Sequence, residues 1–417
     1  MGKWSKGTIA TTCQNLDRLR IPISGTERST IQGDIPYYGA NGQVGYIDNY
    51  LFDEPLILIA EDGGNFEQYE SRPIAYRISG KSWVNNHAHI LRALPAYDQD
   101  YIFYSLEHKN VLYYIAGGTR SKLTQKELSK IEIIYPEDIK EQRKIAQILA
   151  TLDEAISKTR AIIEKYNSIK IGLMQDLLAN GIDENGVIRS PKTHEYKDSP
   201  LGKIPVEWDC IQLGEITKII TKLAGFEYSK YFNSYNDGGE IVVIRGTNIT
   251  HNELTLDDVK YIPRATSDFL SRSKLNKNDI VFAYVGTIGP VWLVDTNDSY
   301  HLGPNTARIV LKESIDVKYI YQYFKSFRIK QEITEQMSVG AQPSLSMQKI
   351  RKFRILLPKD PIEQKKIAER LDSIEKVIMQ ERETLNKLLS LKKGLMQDIL
   401  THQVSVEPLL ERSVENE

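Results

Sequence analysis

The segment Glu141-Gln-Arg-Lys-Ile-Ala146 is repeated 222 residues later as Glu363-Gln-Lys-Lys-Ile-Ala368. At the same offset, Gly172-Leu-Met-Gln-Asp176 is repeated as Gly394-Leu-Met-Gln-Asp398. Aligned without a gap, the two copies share 17 identities in 38 positions, far more than unrelated segments of this length would share. The chain therefore contains an internal duplication, and we expect a fold with a pseudo-two-fold repeat.

Each copy is predicted to form one long helix. Its apolar residues alternate at steps of three and four, which is the a/d pattern of a coiled-coil seam. At 1.5 Å per residue, about 40 residues make a helix about 60 Å long, too long for an ordinary core helix. The predicted seam positions are Ile145, Leu149, Leu152, Ile156, Ile163, Ile367, Leu371, Ile374, Ile378 and Leu385.

Both seams are interrupted by polar residues at the same two heptad positions. These are Thr159 and Lys170 in the first copy, and Glu381 and Lys392 in the second. The matched interruptions favour pairing of the two helices with each other. The alternative is that each helix packs separately on its own domain.

The rest of the chain is arranged around these helices. Short β-branched runs between Gly, Asn, Asp and Pro, such as Leu56–Ile59 and Ile241–Ile244, predict strands in two mixed α/β bodies, and hence an α+β fold class. The predicted divisions are a first body at 1–137, a first long helix at 138–180, a polar linker at 181–199, a second body at 200–358, a second long helix at 359–403 and a C-terminal tail at 404–417.

Composition narrows the class of protein. With 417 residues, 41% hydrophobic and 26% charged, the chain fits two or three globular domains. No apolar run approaches the roughly 18 residues that span a bilayer, so we expect a cytoplasmic protein without membrane contact. Cys13 and Cys210 are too few for a disulfide framework or a thiolate zinc site. The net charge of −1 does not favour a nucleic-acid ligand, although eight Lys or Arg against two Glu in 318–354 predict either a local basic face or a solvated surface.

Signatures of catalysis are missing or weak. Gly80-Lys-Ser82 has Ala75 where a Walker loop needs its first glycine, and no Asn/Asp-Pro-Pro-aromatic run of an amino-methyltransferase occurs in the sequence. His87 and His89 have no third metal ligand at a recognisable spacing, so we interpret them as structural. A loose nuclease-like spacing, of a kind that arises often by chance, comprises Asp100, Glu107 and Lys109. We expect no enzymatic activity, metal or cofactor in this chain.

The order of motifs along the chain points to a family. The second body opens with Leu201-Gly-Lys-Ile-Pro-Val-Glu-Trp208, contains Gly286-Thr-Ile-Gly289 and has Gln342-Pro-Ser-Leu345 before its end. Together with the repeated helices, this order resembles the specificity subunit of a type I restriction-modification enzyme over nearly the whole chain. In the first body, Ile35-Pro-Tyr-Tyr-Gly-Ala-Asn-Gly42 and Trp83-Val-Asn-Asn-His-Ala-His89 are similar to one class of that family's target-recognition domains. One departure is that Arg-Ser-Lys stands at 120–122 where the second half has Gln-Pro-Ser.

The resemblance implies an architecture and a set of partners. The bodies would be two target-recognition domains, each reading one half of a bipartite double-stranded DNA target. The helices would form an antiparallel coiled coil that sets the distance between the two half-sites. The chain itself would be non-catalytic. Two modification (methyltransferase) subunits and the restriction (motor-nuclease) subunits would bind S-adenosylmethionine, ATP and Mg²⁺ and carry out methylation and cleavage.

Polar side chains in glycine-bearing loops are the candidates for DNA contact, because their donors and acceptors match base edges and phosphates. We predict contacts from Asn41, Gln43, Arg120 and Lys122 in the first body, and from Arg245, Thr247, Asn248, Thr287, Gln342 and Ser344 in the second. One alternative is a coiled-coil adaptor that binds proteins and has no DNA specificity, which the near-neutral charge favours. A second, a fused nuclease-specificity chain, depends on the nuclease-like spacing alone.

Overall fold

Two long helices form where the repeated segments predict them. In the computed structural model the first spans Ile139–Asn180 and the second Pro361–Leu400. Asp138 and Asp360 stand just before them, and each carboxylate accepts a hydrogen bond from the backbone N–H two residues later, which satisfies a free donor of the first turn. The first helix ends at Gly181, whose φ of +64° is a left-handed conformation that glycine adopts without strain.

The structure describes residues 3–115, 121–232, 239–337 and 344–414. The chain divides into two compact units. The first comprises Met1–Ala161 and Arg382–Glu417, and the second comprises Ile162–Glu381. Each unit therefore holds one body together with one end of each long helix.

Contacts inside both units show that the long helices run antiparallel. In the first unit Lys392 Nζ lies 2.7 Å from Asp153 Oδ1, and in the second Lys170 Nζ lies 2.6 Å from Glu375 Oε1. Asp153 precedes Lys170 in the first helix, whereas its partner Lys392 follows Glu375 in the second helix, so the two helices run in opposite directions. The predicted antiparallel pairing is confirmed.

The seam residues pack both against the other long helix and against the bodies, so both alternatives considered for the helices apply. Near the helix ends, Ile145 and Leu149 belong to a buried cluster with the first body, and Ile367 and Leu371 belong to one with the second body. The helices thus pair with each other and also pack on the bodies. The remaining predicted seam positions are buried at Ile156, Ile374 and Ile378 and half-buried at Leu152, Ile163 and Leu385.

The described part of the first body contains two four-stranded sheets and a two-stranded ribbon. The first sheet, antiparallel throughout, has the order Cys13–Asn15, Ala88–Ala93, Leu56–Ala60, Ala75–Ile78. The second, with a parallel pair in its middle, has the order Gly42–Ile47, Ile35–Gly39, Lys81–Val84, Phe52–Asp53. The ribbon joins Trp4–Thr8 to Glu132–Pro136. The α-helices are Ile9–Thr12, Gly25–Thr30, Gln99–Glu107 and Gln125–Leu128.

The second body repeats this arrangement within its described residues. Its antiparallel sheet has the order Thr217–Lys222, Thr306–Leu311, Ile280–Ala283, Val291–Leu293. Its sheet with a central parallel pair has the order Lys260–Ile262, Ile241–Ile244, Tyr300–Leu302, Lys274–Leu275. Ribbons join Trp208–Gln212 to Arg354–Pro358, Tyr196–Ser199 to Gly202–Pro205 and Ile249–Thr250 to Glu253–Leu254. The α-helices are Leu213–Ile216, Gly225–Tyr231, Arg264–Phe269, Val317–Phe324, Phe327–Gln336 and Met347–Arg351. The shared strand order shows that the duplication includes the bodies, although their sequences differ.

One helix in each body packs close to the long helices. We call Gln99–Glu107 the first body helix and Val317–Phe324 the second body helix. Each begins in the same way, because the carboxylate of Asp98 or Asp316 accepts the N–H of the tyrosine three residues later. Each therefore has a defined start against the sheet beside it.

The segments predicted as linker and tail both contain ordered structure. In 181–199, Ile182 and Arg189 are buried in the second unit. In the tail, Val406 is buried in the first unit and a helix spans Glu407–Val414. Across the described ranges, no helix combines the length and the apolar content needed to cross a membrane.

Candidate nucleic-acid interface

The repeated Glu-Gln pair fastens each long helix to its own body. In the first unit, Gln142 Oε1 accepts the backbone N–H of Asp98 at 2.8 Å, and its Nε2 donates to the carbonyl of Pro136 at 2.8 Å. Gln364 makes the equivalent bonds in the second unit, at 2.9 Å to Asp316 and 2.8 Å to the carbonyl that ends the last strand. Both amides are buried. A single side chain thus connects the body helix, the last strand and the long helix. The sequence identifies these glutamines only as part of a repeat, and the matching proline six residues before each one is a signal of their shared role.

The glutamate of this pair lies in an ionic site in the second unit. Glu363 is 6% exposed, and its Oε1 lies 2.5 Å from Arg189 Nη1. The same oxygen accepts the N–H of Ile182 at 3.0 Å and the indole N–H of Trp208 at 3.1 Å. A buried carboxylate with a guanidinium and two neutral donors has its desolvation largely compensated. This site connects the predicted linker, the strand Trp208–Gln212 and the second long helix.

The equivalent Glu141 has a different environment in the first unit. It accepts the indole N–H of Trp4 at 3.3 Å, and the Trp4 ring stacks on His402 with centroids 4.4 Å apart. Burial raises the pKa of the Glu141 carboxyl; the bond from Trp4 opposes this, and the nearby Glu407 adds to it. One motif residue is therefore an ion-pair partner in one unit and a weakened acid in the other.

In the first body, the predicted contacts Asn41 and Gln43 lie at one hairpin turn. Asn41 is exposed in the turn after Gly39 and donates to the carbonyl of Gly63 at 2.8 Å. Gln43 is exposed and donates to the carbonyl of Gly45 at 3.3 Å. Both amides keep unused polar atoms at the surface, so both remain available for contact with a ligand.

Lys122 is held beside the loop that follows the buried strand Leu56–Ala60. It forms an isolated β-bridge with Asp62, and its Nζ lies 3.1 Å from the carboxylate of Glu61 with the side chain about half exposed. His87 lies against the same loop, with Nδ1 2.8 Å from Asp62 Oδ1. The predicted contact Arg120 lies outside the described residues.

His89 belongs to a buried ionic group under this loop. Its Nδ1 lies 2.6 Å from Asp17 Oδ2 and its Nε2 lies 2.7 Å from the carbonyl of Leu123. Burial acts to raise the pKa of Asp17, but the hydrogen bond and charge of His89, together with the hydrogen bonds from Ile90 and Asn15, outweigh it, so this pKa lies below its ordinary value. Among the described residues, Asp17, Glu61 and His89 are the set whose potential metal-ligand atoms lie within 4.8 Å of one another. Arg20 Nη1 lies 2.7 Å from Glu61, so a protein cation already neutralises part of this set.

In the second body, the predicted contact Asn248 is buried in the loop at 245–248. Asn248 is 3% exposed; its Oδ1 accepts from Arg245, and its Nδ2 donates to the carbonyls of Thr255 and Asp258. Its amide stabilises the loop from inside, and its contact with DNA stays a prediction. Arg245 pairs with Asp258 at 3.0 Å and is only partly exposed. Thr247, between them, is exposed.

Thr287 and Ser344 are brought to one place by the fold. Thr287 is exposed in the loop that follows the buried strand Ile280–Ala283, and Ser344 forms an isolated β-bridge with Val285 in that loop. The predicted contact Gln342 lies outside the described residues.

The same loop pairing occurs in both bodies. In the first, Leu123 N donates to the carbonyl of Glu61 at 2.8 Å, and in the second, Leu345 N donates to the carbonyl of Tyr284 at 3.0 Å. In each case a segment that precedes the last strand is bound to the loop after the central buried strand. Each body thus presents one two-loop surface, and Asn41, Lys122, Thr287 and Ser344 lie on or beside it.

The predicted basic face of 318–354 is partly neutralised. Asp372 and Glu375 of the second long helix, and Glu332 within the stretch itself, pair with three of its eight cations. The pairs are Lys318–Asp372 (3.0 Å), Lys325–Glu375 (2.7 Å) and Arg354–Glu332 (2.6 Å). A count of charges along one stretch of the chain leaves out acidic side chains that the tertiary structure brings close to it.

The acids of the nuclease-like spacing have structural partners. Asp100 Oδ1 lies 2.9 Å from Arg77, and Glu107 Oε2 lies 2.8 Å from Lys392. Ion pairs of this kind satisfy both carboxylates within the first unit.

Comparison with known proteins identifies the family. Residues 8–165 and 205–390 match the family described as the type I restriction modification DNA specificity domain. The chain belongs to this family. The type I restriction enzyme MjaVIII specificity subunit of Methanocaldococcus jannaschii is 28% identical over 320 residues, which are 75% of this chain and 72% of that protein. The putative type I restriction enzyme specificity subunit S.HindORF215P of Haemophilus influenzae is 27% identical over 318 residues, 74% of this chain and 73% of that one. The resemblance inferred from the order of motifs is confirmed.

Solved structures of specificity subunits share the fold. The type I restriction-modification system S subunit from M. genitalium aligns with a TM-score of 0.63 at 15% identity, over 95% of this chain and 96% of that chain. A chain solved in work on complex assembly and conformational transition of the type I R-M system aligns with a TM-score of 0.50 at 12% identity, over 96% and 97% of the two chains. The predicted α+β fold class, with two recognition domains and paired long helices, is confirmed.

Proposed function

We propose that this specificity-family chain directs a type I restriction-modification complex to a bipartite DNA target, each body reading one half. The observation that carries the proposal is the duplication, because two bodies of one strand order each present a two-loop surface joined by the same backbone bond. Two recognition domains with the same strand order, joined by the same long helices, suit two half-sites on one side of a DNA duplex. The proposed contacts are Asn41, Gln43, Lys122, Arg245, Thr247, Thr287 and Ser344, with Arg120 and Gln342 as further predictions.

The long helices have two roles in this proposal. They set the spacing of the half-sites, because Gln142 and Gln364 fasten each body to one helix. They also dock the modification and restriction subunits. In support, both helices expose apolar side chains, which favour burial against another protein. These are Ile162, Ile169 and Ile171 on the first, and Met379, Leu389 and Leu391 on the second. Of these, Ile169 and Leu391 are related by the 222-residue repeat, and two related apolar positions suit two modification subunits.

Chemistry belongs to the partners in this proposal. The modification and restriction subunits would bind S-adenosylmethionine, ATP and Mg²⁺, and this chain would supply the address and the scaffold without catalysis. The ion pairs that occupy Asp100 and Glu107 support this division.

A coiled-coil adaptor without DNA specificity is the competing function. The net charge of −1 and the partial neutralisation of 318–354 favour it. Binding of the assembled complex to DNA at two salt concentrations separates the two, because the affinity of a phosphate-contacting protein falls steeply as salt increases. An adaptor would show no dependence on the DNA sequence at either concentration.

Methylation profiling of host DNA with and without the gene tests the proposal directly. We expect one bipartite methylated motif to disappear when the gene is deleted. In vitro, the purified chain with S-adenosylmethionine, ATP and Mg²⁺ should be inert until the modification subunits are added. Methylation that persists unchanged in the deletion strain would contradict the recognition role, and methyl transfer by the chain alone would contradict its non-catalytic role.

A further inference from the structure

One of the two lysines that interrupt the seams lies in a buried ionic cluster of the first unit. Lys392 Nζ is 2.7 Å from Asp153 Oδ1 on the other long helix and 2.8 Å from Glu107 Oε2 on the first body helix. The Lys392 side chain is 11% exposed. Tyr104, also on the body helix, donates its O–H to Asp153 at 2.7 Å. We call Lys392, Asp153, Glu107 and Tyr104 the first cluster.

The second unit contains an equivalent cluster in which the central charge is reversed. Lys170 and Glu375 occupy the positions related to the first cluster by the 222-residue offset, and they lie 2.6 Å apart. Lys325, which directly follows the second body helix, is 2.7 Å from the same carboxylate oxygen and 9% exposed, and Gln322 of that helix donates to the other oxygen at 2.9 Å. We call Lys170, Glu375, Lys325 and Gln322 the second cluster. Each cluster joins three elements, which are the two long helices and the body helix.

An apolar heptad seam alone does not define one alignment of two helices, because a shift of seven residues brings equivalent layers together again. The acids of the two clusters remove this ambiguity. A shift by one heptad places Ala146 and Ala368 at the acid positions in one direction, and Arg160 and Arg382 in the other. Glu381 lies one residue from Arg382 and would serve only one of the two lysines.

Burial makes the wrong alignment costly. A charged group that loses its partner in a protein interior retains its full desolvation cost, whereas a matched pair adds little net stability. Burial acts to raise the pKa of Glu375, but Lys325 and Lys170 outweigh it, so the pKa lies below its ordinary value and the group stays ionised. Buried ion pairs of this kind contribute more to the choice of one arrangement than to total stability.

We propose that the two clusters are positioning sites of DNA recognition, which hold each body at one place on both long helices and so allow one spacing of the half-sites. The proposal rests on the proposed function, because it assigns the spacing to particular side chains. Loss of a cluster should leave the half-sites unchanged and widen the range of gaps that are accepted.

The test removes the central charge of each cluster in the full chain, assembled with its modification subunits. The variants are Lys392→Met and Glu375→Gln, with the charge-retaining Lys392→Arg and Glu375→Asp as rescues. Methylation is measured on duplexes that carry the wild-type half-sites at gaps one to three base pairs shorter or longer. We expect methylation at neighbouring gaps to rise about tenfold relative to the preferred gap, an energy difference of about 1.4 kcal/mol. The rescue variants should restore selection of one gap.

Matched controls separate positioning from loss of stability. Leu58→Ala and Val243→Ala each make a cavity in a body sheet away from the clusters, and both should lower the melting temperature without widening the accepted gaps. In the free chain, hydrogen exchange across residues 385–399 should be about tenfold faster in Lys392→Met than in Leu58→Ala, which gives a decision even where a variant does not assemble.

The outcomes for the two proposals differ. A wild-type complex with no bipartite motif overturns the proposed function. The positioning role is overturned if the wild-type complex accepts one gap and the cluster variants select that gap as strictly as the wild type does. It is also overturned if the cluster variants exchange no faster than the cavity controls. Either result leaves the proposed function standing.

Discussion

Replacing Glu363 with Gln should weaken the second unit far more than the same change at Glu141 weakens the first. Glu363→Gln removes the counter-ion of Arg189, whose side chain is 9% exposed, while the amide oxygen still accepts the Trp208 indole N–H. Removing one partner of a buried ion pair costs about 3–5 kcal/mol. Glu141→Gln replaces a carboxyl whose pKa burial already raises, so the neutral amide should change the free energy of unfolding by less than about 1 kcal/mol.

Native-state hydrogen exchange on the full chain measures this difference locally. At about 1.4 kcal/mol per factor of ten, Glu363→Gln should speed exchange across residues 361–381 by about a hundredfold to several thousandfold. Glu369→Gln is the matched control, because Glu369 is an exposed residue of the same helix with a loose 3.9 Å contact to Lys365, and it should leave exchange unchanged. Equal protection in Glu363→Gln and Glu369→Gln, or equal losses from the two motif glutamates, would refute the assignment of the buried ion pair.

Three further predictions concern the length of the long helices, the exchange of one body and the acid stability of the first body. Inserting four residues near Lys158, with a matching insertion near Gln380, should lengthen the recognised gap by about two base pairs, since four residues add about 6 Å of helix and each base step about 3.4 Å; methylation mapping that finds the old gap in a folded variant would exclude the helices as the spacer. Exchanging 200–357 for the body of another family member should change one half-site only, because each body is fastened to its own helix by local bonds such as those of Gln364; a chimera that assembles but changes both half-sites would show shared recognition. Acid should destabilise the first body through Asp17: its pKa is held below the ordinary value of about 3.9, so the stability it contributes is present above that pH and is lost as the pH falls through the lower value. Asp17→Asn should therefore flatten the pH dependence of urea unfolding below about pH 4, and an unchanged slope would contradict the bond to His89.

The sequence was sufficient for features that depend on neighbouring residues. The heptad period predicted both long helices, and the aliphatic run Leu56–Ile59 predicted a strand, which the structure forms at Leu56–Ala60. The 222-residue repeat and the order of motifs indicated the family that the match to the specificity domain confirms. Periodicity and repetition are written along the chain, so each could be read without knowing which distant residues meet.

Burial and choice of partner required the tertiary structure. Asn248 has the side-chain chemistry and the loop position expected of a DNA contact, yet its amide points inward and stabilises its own loop. Two of the cations in 318–354, Lys318 and Lys325, are paired by acids that lie outside this stretch and that no local count includes.

The helices, the duplication and the family could thus be inferred from residue order alone, whereas three-dimensional packing sets which polar groups remain accessible to a ligand. Lys392 shows the reason. In the sequence it is an interruption of an apolar seam, and its partner Glu107 lies 285 residues away. An ion pair at that separation forms only after the second long helix has packed beside the first body, because its energy depends on distance in space and on exclusion of water, and neither is encoded in local order.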